Sequence, residues 1–167
     1  MQDTEVKTAI VEDKQPNKIG GWLILLGLGI TLSPFSLFNS TVQGYKDVFS
    51  GGIWDALTTQ SSEFYSPFWG PFIISEIVLN FLLVMASLYL AVLFYGKKQI
   101  FPKWFAGISV FTAVLILCDG LAVNYLMPGT PILGKENGIE FVKTLIACFI
   151  WTPYLYFSDR AVNTFIR

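Results

Sequence analysis

Two carboxylates lie in stretches of this sequence that are otherwise apolar enough to cross a lipid bilayer. Glu76 lies in YSPFWGPFIISEIVLNF, residues 65–81, and Asp119 lies in a later apolar run. A charged side chain at such depth is unfavourable, so intramembrane acids usually face the interior of a helical bundle, where they pair, bind ions or relay protons. Their surroundings therefore decide whether these two acids stabilise the fold or bind something.

Three more polar side chains, Asn80, Asn124 and Lys143, interrupt the same apolar runs. At 1.5 Å per residue, Glu76 lies about 8 Å, Asp119 about 12 Å and Lys143 about 5 Å below one membrane boundary. Asn80 follows Glu76 by one turn on the same helix face. The sequence therefore predicts one polar cluster, drawn from three helices, in the outer half of the membrane.

Three roles are open for this cluster. A Glu76–Lys143 or Asp119–Lys143 ion pair would fix the register of the helices, and the asparagines would add hydrogen bonds. Alternatively, a water-accessible cavity would bind a small cation or relay protons. In the third case the side chains extend toward the membrane surface, so that their polar groups reach water while the apolar part stays in the lipid. This is easiest for Lys143.

The composition excludes several classes of site. The 167 residues are 53% hydrophobic and only 14% charged, against about 25% charged in soluble domains. The absence of histidine excludes histidine-based triads and histidine-ligated zinc or haem. The sequence also has no cluster of basic residues that could bind the phosphates of a nucleic acid. Cys118 and Cys148 lack a redox or metal-binding spacing, so both are predicted to be reduced and buried. No metal or cofactor is predicted.

Four segments reach the roughly 20 apolar residues that a membrane helix needs. They are predicted at about 20–38, 71–95, 104–127 and 140–158. Of the 11 lysines and arginines, eight fall on the side of the chain ends and three on the other, which predicts that both termini are cytoplasmic. The predicted fold class is an all-α integral membrane protein with a four-transmembrane-helix bundle.

The segments outside the spans are predicted from their composition. Residues 1–18 are polar and mixed in charge, and they are predicted to form a disordered cytoplasmic tail before the membrane domain at 19–167. The outer loop at 39–70 carries apolar residues at helical spacing on both sides of Gly51-Gly52. This spacing indicates short amphipathic helices that lie on the membrane surface or over the mouth of the bundle.

Prolines and small residues mark special positions in the spans. Pro34 and Pro153 are predicted to bend their helices because each removes a helical hydrogen bond. Small residues at four-residue spacing permit close approach of another helix, from this chain or from a second copy. They occur at Gly27-x-x-x-Thr31 and Gly29-x-x-x-Ser33.

Three blocks of the sequence resemble the membrane family called domain of unknown function 2569. They are GGWLIL at 20–25, GGIWDALTTQSSEFYSPFWGPFIISEIVLN at 51–80 and FIWTPYLYFSDRAVNTF at 149–165. The resemblance extends from about residue 18 onward and implies a four-span protein of the bacterial inner membrane. It does not imply any particular activity, because the family has no settled one, and it offers no catalytic residues to transfer. Thr152 departs from the apolar residue expected there. The matching positions are Trp22, Trp54, Tyr65, Trp69, Glu76, Trp151, Pro153 and Tyr154.

These observations favour a non-enzymatic protein that acts by association, as an accessory, scaffolding or partner-binding subunit. Trp54, Tyr65 and Trp69 are the candidate contact residues of the outer loop. The expected partners are the lipid bilayer and another membrane protein or a second copy of the chain, and not nucleic acid. The alternative is a small ion- or proton-coupled transporter that uses Glu76 and Asp119. An intramembrane enzyme with these two acids is a third hypothesis, for which no oxyanion motif is present.

Overall fold

The computed structural model describes residues 17–166, and within them all regular structure is helical. Four helices are long and apolar enough to cross a membrane. Most of the predicted tail, residues 1–16, lies outside the described residues. The elements are α1 (Trp22–Ser50), α2 (Ile53–Thr58), α3 (Trp69–Tyr95), α4 (Phe101–Leu126), α5 (Lys135–Phe157) and α6 (Asp159–Val162).

The first long helix extends further than the sequence predicted. Residues 39–50, predicted as part of the outer loop, continue α1 to Ser50. Nothing before Gly51 ends the helix, and Gly52 then takes the left-handed conformation, with φ +74°, which favours glycine. Helix α1 is therefore about 44 Å long, against a hydrocarbon core of roughly 30 Å. Of the two predicted outer helices, only the second is a separate element, α2.

A side-chain hydrogen bond compensates for the proline inside α1. Pro34 has no N–H to donate to the carbonyl of Ile30, four residues earlier. The Ser33 hydroxyl donates to that carbonyl at 3.2 Å instead. Both α1 and α5 stay helical around their internal prolines, Pro34 and Pro153, and the bends predicted there stay predictions.

The apolar core is concentrated at one end of the molecule, here called the basal end: residues 17–22, the 96–100 turn and residues 158–166. Phe94 and Phe101 are fully buried there, and Phe165 stacks on Phe101 with ring centroids 4.7 Å apart. The Asn17 N–H donates to the Asn163 carbonyl at 2.9 Å. Both ends of the described chain therefore meet at the basal end, and the segment after α6 packs into the core.

The long helices form two pairs that are joined at the basal end. Helix α1 packs along α3 and α4 packs along α5, whereas the contact between α3 and α4 is less extensive. Helix α5 also reaches α1 through Trp22 and Trp151, whose ring centroids are 6.5 Å apart. The opposite end, here called the distal end, carries α2, residues 59–68 and the 127–134 loop.

Gly27 and Gly29 differ in their surroundings although both belong to small-residue motifs. A Cβ on Gly27 would lie 2.8 Å from Cε1 of Phe94, whereas one on Gly29 would meet nothing within 4 Å. Phe94 is itself fully buried and cannot move aside freely. The motif at Gly27 therefore brings α1 close to α3 within this chain.

We predict that Gly27→Ala destabilises the fold by about 1–3 kcal/mol because the new methyl group overpacks the core against Phe94. The matched control is Gly29→Ala, because Gly29 lies on the same helix with open space around it. This change should leave the free energy of unfolding unchanged or slightly raised. Chemical unfolding of the two variants in detergent, followed by tryptophan fluorescence, measures this difference. Equal unfolding midpoints would contradict the packing argument.

Candidate functional site

All four long helices contribute to a group of polar side chains in the distal half, here called the distal polar cluster: Tyr45, Glu76, Asn80, Asp119 and Asn137. The Asn80 side-chain amide donates to the Tyr45 hydroxyl at 2.9 Å and to the main-chain carbonyl of Glu76 at 3.0 Å. The Tyr45 hydroxyl lies beside the Glu76 carboxyl group. Helices α1 and α3 are therefore joined here by polar contacts.

The second half of the cluster joins α4 to α5. The Asn137 side-chain amide donates to Oδ2 of Asp119 at 3.1 Å. Asp119 is also near enough to Glu76 for the two carboxyl groups to interact electrostatically. The structure thus brings together three of the five residues predicted from the sequence, Glu76, Asn80 and Asp119, in one distal layer.

Lys143 lies elsewhere, and the predicted Glu76–Lys143 and Asp119–Lys143 pairs are wrong. The Lys143 ammonium pairs with Oε1 of Glu140 at 3.0 Å, and these side chains are 66% and 64% exposed. The partner lies three residues earlier on the same helix, a spacing at which side chains meet without any tertiary contact. Within residues 17–166, no lysine or arginine forms a salt bridge with Glu76 or Asp119.

Asn124 supports a loop and takes no part in the cluster. Its side-chain amide donates to the main-chain carbonyl of Thr130, which ties the 127–134 loop back to α4. Gly120 also allows the 127–134 loop to pack against α4, since a Cβ at residue 120 would clash with the main chain of Ile132. This loop sets the position at which α5 begins and therefore brings Asn137 to Asp119.

Tyr45 and Asn137 are the two cluster residues that were not among the predicted site residues. The sequence predicts Tyr45 within the short amphipathic helices of the outer loop, on the membrane surface or over the mouth of the bundle, whereas the extension of α1 brings it into the cluster. Asn137 precedes the predicted start of the fourth span at residue 140, whereas α5 begins at Lys135. The apolar residues at helical spacing within 39–50, with no helix-breaking residue between them and the first span, are the feature of the sequence that could have placed Tyr45 on α1.

The cluster is rich in oxygen atoms and poor in soft ligands. Two carboxylates, a phenol and two amides are the kinds of group that hold protons or hard cations. Among the described residues, no group of three or more histidine, cysteine or acidic side chains could hold a metal ion. Of the two cysteines, Cys118 is exposed, contrary to the prediction, and Cys148 is partly buried, with Sγ 3.7 Å from the Thr152 hydroxyl.

The aromatic residues of the outer segment differ in exposure. Trp69 is only 5% exposed and packs edge-on against Phe72, and its indole N–H has no hydrogen-bond partner among residues 17–166. Trp54 packs against Phe49 with centroids 5.1 Å apart. Of the three predicted contact residues, only Trp54 and Tyr65 are partly exposed.

We predict that Tyr45→Phe destabilises the protein by about 0.5–1.5 kcal/mol because the Asn80 amide loses an interhelical hydrogen bond. Tyr125→Phe is the matched control, since Tyr125 is 79% exposed on α4. Thermal unfolding of both variants in the same detergent measures the effect. If both variants unfolded at the wild-type temperature, the Tyr45–Asn80 contact would contribute nothing to the fold.

Comparison with known proteins gives one match. A family model described as "Protein of unknown function (DUF2569)" matches residues 16–166, which is nearly the whole chain. No curated protein and no solved structure matches. The match includes the four long helices and every residue of the distal polar cluster. The chain is therefore a multi-pass membrane protein that belongs to the family DUF2569.

Proposed function

We propose that this membrane protein is a non-enzymatic accessory subunit, which binds another membrane protein through α5. The observation that carries this proposal is the poor burial of α5. Only Leu155 is buried among its 23 residues, whereas six residues of α1 are buried. Helix α5 also has the lowest mean hydropathy of the four long helices.

A helix with these two properties gains from contact with protein in place of lipid. Small side chains permit close helix approach, and hydroxyl groups form hydrogen bonds that lipid tails cannot supply. Thr144, Cys148 and Thr152 recur on one face of α5, and the rest of the chain covers them only in part. A partner helix that covered this face would complete its packing.

The proposed location is the bacterial inner membrane, with the basal end in the cytoplasm. The resemblance of three sequence blocks to this family, which implies a protein of the bacterial inner membrane, supports this location. The basal end carries Lys18, Lys97, Lys98 and Arg160, and cytoplasmic segments next to membrane helices are enriched in lysine and arginine.

A photo-crosslinking residue at Phe149 of α5, which is 75% exposed, tests the proposed contact in intact membranes. We expect one discrete protein adduct because the partner packs on this helix. The matched control is the same residue at Met85 of α3, which is 62% exposed and should give lipid adducts only. Lipid adducts alone at both positions, in a folded protein, would contradict the proposal.

A second candidate function is ion- or proton-coupled transport, and the distal polar cluster favours it. Glu76 and Asp119 come from different helices and interact with each other, yet neither has a basic partner within residues 17–166. Two acids in such surroundings are suited to take up a proton or a small cation.

For this candidate, Glu76→Gln should abolish any rise in melting temperature caused by sodium or calcium chloride relative to choline chloride, because the variant lacks the carboxylate. Glu63→Gln is the matched control, since Glu63 is an exposed acid in the outer segment. Proton flux into proteoliposomes, followed with a pH-sensitive dye, gives a second readout. An identical cation response in wild type and both variants, with no flux, would end this candidate.

A further inference from the structure

An apolar groove lies between α3 and α4, where the two helix pairs separate. Its volume is about 470 Å³, within the roughly 300–1,000 Å³ of typical small-molecule sites. One wall comes from α3 and the other from α4. The wall residues include Leu82, Leu83, Ala86, Gly107, Ile108 and Phe111.

The groove is open because no side chain among residues 17–166 fills it. A Cβ on Gly107 would meet nothing within 4 Å, and the contact between α3 and α4 is less extensive than the contact within each pair. Phe111 is 49% exposed and Leu82 is 58% exposed. The groove therefore faces the lipid phase directly.

One end of the groove differs in chemistry from the rest. Lys103 and Trp104, in the first turn of α4, line the groove near the basal end. Trp104 packs edge-on against Tyr89, with ring centroids 5.4 Å apart. Lys103 is exposed, it is the one charged residue in the lining, and the lining contains no acid.

The length of the groove matches one leaflet of a bilayer. On the α4 side the lining extends from Ile100, the residue before α4, to Phe111, which is about 16 Å at the helical rise. Half of a roughly 30 Å hydrocarbon core is about 15 Å. Tryptophan and lysine at one end are the side chains that occur at headgroup depth.

We propose that this groove binds one anionic phospholipid, with an acyl chain between α3 and α4 and the phosphate at the Lys103 ammonium. The apolar walls exclude a polar ligand from most of the groove, and the single positive charge selects a negative headgroup. The lipid comes from the leaflet at the basal end. This site is independent of the partner proposed for α5.

Native mass spectrometry of the full chain, released from micelles that contain phosphatidylglycerol or phosphatidylcholine, tests the headgroup contact. We expect tighter binding of phosphatidylglycerol to the wild type. Lys103→Gln should weaken it about fivefold, the factor that corresponds to ~1 kcal/mol per basic side chain near a membrane surface. The matched control is Lys98→Gln, since Lys98 is exposed near the same end but outside the groove. Equal losses in both variants would overturn the headgroup assignment.

The acyl-chain contact is tested by filling the groove. Gly107→Phe, or the smaller Gly107→Leu, should abolish the bound lipid of either headgroup because the new side chain occupies the same space. Gly29→Phe is the matched control, since Gly29 also has open space on a long helix. Retention of lipid by folded Gly107→Phe would overturn the proposal. A wild-type dimer that this change converts to a monomer would also overturn it, because a second copy would then occupy the groove.

Discussion

Packing around Phe94 is the interaction on which the rest of this structure depends. Its ring contacts Gly27 of α1, Phe101 of α4 and Phe165 after α6. Lipid tails are as apolar as a leucine side chain, so helices in a membrane associate through close packing and polar contacts. The ring of Phe94 supplies this packing for three long helices and the segment after α6 at a single point, and Leu155 of α5 belongs to the same core.

Most of the apolar core lies at the basal end, and in the distal half polar contacts join the helices of each pair beside the buried Trp69 and Ile73. Tyr45–Asn80 joins α1 to α3, and Asp119–Asn137 joins α4 to α5. No hydrogen bond between the two pairs occurs in this cluster among the described residues. The pairs are connected there by electrostatic interactions of Asp119 with Glu76 and with Tyr45. The same separation of α3 from α4 opens the apolar groove. The cluster and the groove are therefore two consequences of one asymmetric core.

Hydropathy was sufficient to predict four long helices because each span is a nearly uninterrupted apolar run. It did not predict where α1 ends, because residues 39–50 are helical without being strongly apolar. The pairing of Lys143 was missed for a different reason: an ion pair with Glu140 on the same helix competes with any pair across helices, and sequence spacing favours neither. Depth alone placed Glu76, Asn80 and Asp119 in one layer, whereas Asn124 depends on a loop whose shape the sequence does not indicate.

The position of Phe165 in the chain has a consequence for biogenesis. Phe165 follows all four long helices in sequence, yet its ring packs against both Phe94 and Phe101 in the core. The ribosome delivers the helices before this residue, so α1 and α3 can pair during insertion while the basal core still lacks one of its aromatic rings. The basal core can therefore be completed only after synthesis has passed α6, when the four long helices have already been made.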